Sequence, residues 1–210
     1  YEKPYMFYGG QVFGGNAGDF EESDYKQYWV DVTRWWYGCG LNGWRVDNPK
    51  FYGTVGDGNW EWSRPRQYYR YHRRYWNKFA TDLYTYGEVP RSDGDWIIGQ
   101  FCNNGDMLSG CQNFGMFYDL SNYANGGSGS TMKANLVGVE GQVIGSVQPA
   151  MIGLIGSHDE SRMRSRVGDD TWKQRAVFSV GWTYIDVPII YYGDERGALG
   201  PKGGGPTELQ

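Results

Sequence analysis

Gly43-Trp44-Arg45-Val46-Asp47-Asn48-Pro49-Lys50 opens with a strand-like run that delivers a carboxylate at its end, Asp47. Alternate residues of a strand share a face, so Arg45 and Asp47 are expected on one side, where the guanidinium keeps the carboxylate ionised and oriented. Two later stretches repeat the pattern: Tyr86-Gly87-Glu88-Val89 and Gly156-Ser157-His158-Asp159 each end a strand-like run on an acid. Only a fold that gathers strand ends from distant sequence can bring Asp47, Glu88 and Asp159 together.

Around these anchors the chain alternates between two hydrophobic periods. Residues 42–47, 83–89, 114–120, 151–155 and 187–192 read as strands, the last two apolar enough for burial on both faces. From Ser23, a candidate N-cap, Tyr25, Trp29, Val32 and Trp36 recur at helical spacing until Gly38. A second helix places Tyr68, Tyr71, Tyr75, Trp76 and Phe79 on one face, with Arg70, Arg73, Arg74 and Asn77 on a solvated basic face opposite. A third helical run covers residues 172–184, while residues 1–20, 122–130 and 203–205 read as loops. Strands alternating with helices argue for a parallel α/β sheet, and acids just past strand ends argue for a TIM (β/α)8-type barrel. Five strands make that barrel partial.

A chain of 210 residues with 40% hydrophobic content can bury the core of one domain, 1–210. A formal charge of -4 gives no pull toward nucleic acid or an anionic membrane, and no apolar stretch approaches the roughly 20 residues of a membrane helix. The 18% aromatic content mostly serves the core, but exposed rings also make platforms for sugar rings. His72 and His158 are the two histidines, and no Cys/His group has zinc spacing. Cys102 and Cys111 either pair in an oxidising compartment or stay as free thiols, with Cys39 as a buried thiol beside the first acid-bearing strand.

Four segments in order resemble the alpha-amylase family of retaining glycoside hydrolases, in the C-terminal part of its catalytic barrel. Residues 43–50 resemble the family's fourth-strand motif, Gly87-Glu88-Val89 its fifth and Ser157-His158-Asp159 its seventh. Val187-Pro188-Ile189-Ile190-Tyr191-Tyr192-Gly193-Asp194-Glu195 resembles the segment around the eighth. The resemblance covers roughly residues 24–200.

The resemblance implies that Asp47 is the nucleophile, Glu88 the general acid/base and Asp159 the stabiliser of the transition state. It implies that Arg45, Lys50 and His158 bind substrate or hold the carboxylates. A retaining enzyme needs its two working carboxyls about 5 to 5.5 Å apart and in opposite protonation states. The implied substrate is an alpha-1,4-glucan or oligosaccharide. Transglycosylase, alpha-glucosidase and sucrose isomerase are same-family alternatives, and a truncated, non-catalytic carbohydrate-binding domain is another. The family's third-strand Asp-x-x-x-Asn-His pattern has no counterpart here, and the chain starts at Tyr1, so a processed chain or fragment is expected. If 1–210 were the whole polypeptide, its two open sheet edges would favour self-association. Calcium is allowed by the resemblance, but Phe51 follows Lys50 where many members have a His, so no cofactor is expected to be required and no metal ligand is assigned. An extracellular location is expected, with the cytoplasm as the alternative.

Overall fold

Five short strands, each hydrogen-bonded in parallel to the next in chain order, form one sheet. The computed structural model describes residues 23–49, 63–89, 97–102, 104–184 and 186–200. The strands are β1 Gly43–Val46, β2 Tyr84–Gly87, β3 Gly110–Asn113, β4 Ile152–Leu154 and β5 Val187–Ile189. Helix α1 Ser23–Gly38 precedes them. Parallel neighbours need crossovers, and helices supply them. These are α2 Ser63–Trp76, α3 Gly99–Cys102, α4 Phe114–Ala124, α5 Gly129–Glu140, α6 Met163–Arg166 and α7 Thr171–Thr183. A strand order that never reverses is the winding of a barrel, here five strands of it, and not of a doubly wound sheet.

The third strand differs from expectation. It is Gly110–Asn113, whereas residues 114–120 begin α4. Asn113 ends the strand and starts the helix, because its side-chain oxygen accepts from the Met116 N–H at 3.0 Å. Phe114, Phe117, Leu120 and Ser121 follow helical spacing, but Gly115, Met116 and Asp119 are buried as well, so the run is buried on nearly every side and carries no clear period. The expected loop over 122–130 shrinks to 125–128. Helix α4 runs on to Ala124, and Ser128 caps α5 by accepting from the Thr131 N–H.

Among the described residues the buried apolar side chains form two larger clusters, one around Phe101, Met107 and Leu108 and the other around Phe117, Leu154 and Val177, and a small third of Trp76, Ala80 and Leu83. β4 is buried throughout, as expected, but β5 is not: Val187 is 43% exposed. Among the described residues β5 has a strand neighbour on one edge only. On α1, Val30 and Thr33 are buried while Trp36 is exposed, so the inward face is rotated from the expected aromatic stripe. On α2 the buried face is Tyr68, Tyr69, His72 and Trp76. Its basic face is only partly solvated. Arg74 is exposed, but Arg73 reaches in to donate to the Met107 carbonyl at 2.8 Å and to the Thr85 and Ser109 hydroxyls, both at 2.7 Å. Acceptors left at the starts of β2 and β3 draw the guanidinium inward.

At that same end of the sheet the Tyr84 hydroxyl donates to the Ala150 carbonyl at 2.5 Å, across intervening β3. Gly110 makes room, since any Cβ there would collide with the Ala150 carbonyl. Cys102 and Cys111 are buried and Cys39 is exposed, against the expectation of a buried thiol; all three are free. Cys39 lies in the turn after α1, outside all three clusters. No helix among the described residues is long and apolar enough to cross a membrane.

Candidate active site

Asp47 is the first residue beyond β1 and Glu88 the first beyond β2. The register pairs Val46 with Gly87, and the Glu88 N–H donates to the Val46 carbonyl at 2.9 Å, so the two acids leave adjacent strands at the same level. Asn48 takes a left-handed backbone (φ 40°) that turns the chain over Gly87. A Cβ on Gly87 would stand 2.9 Å from Pro49 Cγ and 2.8 Å from Leu108 Cδ1. Gly87 is therefore what allows the two strand ends to close on each other.

Glu88 is 6% exposed, and Arg45 Nη2 lies 2.7 Å from its Oε2. Burial pushes the Glu88 carboxyl up to about 7, helped by a hydrogen bond with Asp47 and by the negative fields of Asp47 and Asp159; Arg45 pulls the other way. One carboxyl thus holds a proton near neutrality beside an exposed second one. The ion pair that Arg45 makes is with Glu88, not with Asp47 as its spacing suggested.

The third acid arrives from β4, two strands away. Ile155 and Gly156 lead into a turn in which the Ser157 hydroxyl accepts from the Asp159 N–H at 3.2 Å. His158 Nε2 lies 3.2 Å from Asp159 Oδ2, and both side chains are about half exposed. Asp159 contributes to the field at Glu88, so the structure brings Asp47, Glu88 and Asp159 together with Arg45. Lys50 and Phe51 lie outside the described residues. Among the described residues no group of three or more His, Cys, Asp or Glu could hold a metal ion.

Several residues that hold the Asp159 turn have no role assigned by the sequence. The Tyr118 hydroxyl of α4 donates to Glu160 Oε1 at 2.5 Å. Arg162 and Asp194, both almost fully buried, form an ion pair at 3.2 Å, and Arg162 Nη1 also donates to the Tyr192 carbonyl. The Arg162 guanidinium lies 4.3 Å from the Tyr191 ring centroid and 5.0 Å from that of Tyr192. Burial pushes the Asp194 carboxyl up while Arg162 pulls it back down. The signal in sequence was an arginine three residues past Asp159 and an acid in Gly193-Asp194-Glu195, too common alone to assign.

Known proteins resemble this chain in sequence and in fold. Residues 16–207 match the family model described as alpha amylase, catalytic domain. A maltogenic alpha-amylase of Bacillus acidopullulyticus is 28% identical over 183 residues, covering 86% of this chain and 28% of the relative. Neopullulanase 2 of Thermoactinomyces vulgaris is 26% identical over 86% of this chain and 28% of its own length. An intracellular maltogenic amylase of Bacillus subtilis is 23% identical over 83% of this chain and 27% of its own. The chain spans less than a third of the length of these curated relatives. The alpha-amylase structure from H. orenii superposes with a TM-score of 0.77 at 19% identity, covering 93% of this chain and 39% of that one.

Proposed function

Because this chain belongs to the alpha-amylase family, in its catalytic domain, we propose that it carries the catalytic half of a retaining alpha-glycoside hydrolase acting on alpha-1,4-glucans. The observation that carries this reading is Glu88: a buried carboxyl lifted to about 7, paired with Arg45 and hydrogen-bonded to Asp47. A carboxyl that keeps its proton near neutrality beside a second carboxyl is what the acid of a double-displacement glycosidase requires. Asp47 attacks the anomeric carbon and Glu88 gives its proton to the departing glycosidic oxygen. Glu88, now ionised, then takes a proton from the water that releases the sugar from Asp47. Asp159, with His158 beside it, faces the sugar that Asp47 attacks and stabilises its positive charge in the transition state. Lys50 is assigned to sugar binding on sequence alone.

The relatives' names favour maltose-type oligosaccharides and cyclomaltodextrins alongside starch as substrates. Three free thiols and the Bacillus subtilis relative's name favour the cytoplasm over the extracellular space. Incubation of the protein from its complete coding sequence with maltoheptaose tests the function, the first-formed anomer being read by proton NMR. An alpha product is expected. A beta product would rule out retention, and no cleavage of maltoheptaose, starch or beta-cyclodextrin would rule out the activity.

A further inference from the structure

We propose that Arg162 and Asp194 are positioning residues for catalysis, holding the turn that carries His158 and Asp159 against the exit of β5. The turn is fixed at both ends and at its middle. At its start, any Cβ on Gly156 would collide with the Asp194 carboxylate, so the backbone lies directly against that group. At its middle, Glu160 is tied to Tyr118 of α4. At its finish, the Arg162 guanidinium meets Asp194 and the Tyr192 carbonyl, while the Arg162 N–H donates to the Gly200 carbonyl at 2.7 Å.

Asp194 is itself anchored. The Gln174 amide of α7 donates to its backbone carbonyl at 2.9 Å, and left-handed Gly193 and Gly197 bracket the single 3-10 turn Asp194–Arg196. The Asp159 side chain stays about half exposed between these fixed points. A buried pair is ordinarily a poor stabiliser relative to apolar packing, but its fixed geometry suits a group that sets the place of another. Both residues act through the turn and neither touches the reacting atoms.

This inference rests on the glycosidase reading and fails separately from it. In the full-length enzyme, Asp194→Asn and Arg162→Lys should lower kcat on maltoheptaose by roughly 10- to 100-fold with KM within about threefold, the signature of a misplaced group. Combined with Asp159→Asn and assayed on p-nitrophenyl alpha-maltoside, each should add less than about threefold to the loss from Asp159→Asn alone. A purely structural pair would instead give losses that multiply. Losses that multiply, or a folded variant with kcat within about threefold of wild type, would overturn the proposal. If Arg162→Lys does not fold, the near-isosteric Asp194→Asn decides. Should Asp159→Asn itself leave activity intact, the assignment of Asp159 fails instead.

Discussion

Arg45 and Glu88 face each other across the β1–β2 border with 2.7 Å between Nη2 and Oε2, so the cation of the first motif is spent on the acid of the second. The pair opposes the burial and the negative neighbours that raise the Glu88 carboxyl. Removing the cation therefore favours the neutral acid. Arg45→Gln should move the alkaline fall of kcat/KM to higher pH than in wild type, while lowering its maximum. A pH–rate profile checks this; a limb that stays in place would detach Arg45 from the acid.

In wild type the activity should fall as pH rises through about 7, where Glu88 loses the proton that the proposed mechanism has it donate. Glu88→Gln should remove that limb and cripple maltoheptaose cleavage far more than cleavage of an activated aryl glycoside, whose leaving group needs no proton. Equal losses on the two substrates would point to another acid.

If Asp47 is the nucleophile proposed above, Asp47→Asn should reduce turnover by several orders of magnitude with an unchanged circular dichroism spectrum, because the amide cannot form the covalent intermediate. Activity within about tenfold of wild type would remove Asp47 from the nucleophile role.

Asp186 offers a test of stability away from the site. Burial raises its carboxyl to about 6, an increase opposed by the Asn113 amide, 3.3 Å away, and aided by Glu140. With a folded value above the unfolded one, protonation stabilises the fold. That contribution is complete below about pH 4 and lost as pH rises through about 6. Asp186→Asn should flatten the dependence of the urea midpoint on pH across this window. A midpoint that keeps the wild-type slope would mean Asp186 is ordinary.

Chelation is expected to leave the melting temperature nearly unchanged, on the ground that Phe51 follows Lys50. A drop of many degrees with EDTA, restored by calcium, would reverse this expectation.

The acids were legible in sequence because each stands at the end of a short strand-like run, and four of the five strands were legible from such runs, β4 and β5 by their apolar character. β3 was not. Gly110-Cys111-Gln112-Asn113 lacks the β-branched and aromatic residues that mark strands, and the more apolar run after it drew the assignment. Its strand character comes from neighbours on both sides, which local pattern does not carry. Arg162 and Asp194 were illegible for a related reason: they are 32 residues apart in sequence, and their meaning lies in being buried against each other. Arg45 was half legible, since strand alternation gave its side of the sheet but not which carboxylate it would meet.

The hydrogen bond from Tyr84 to Ala150 spans a strand that carries no side chain at Gly110. Tyr84 begins the strand that ends beside Glu88, and Ala150 leads into the strand that ends toward Asp159. The separation of the strand ends that carry Glu88 and Asp159 is therefore tied to packing at the opposite rim, like the opening of a fan set at its pivot. A methyl group at position 110 would spread the ribs. The pH at which Gly110→Ala loses activity would report it, because a more distant Asp159 raises the Glu88 carboxyl less.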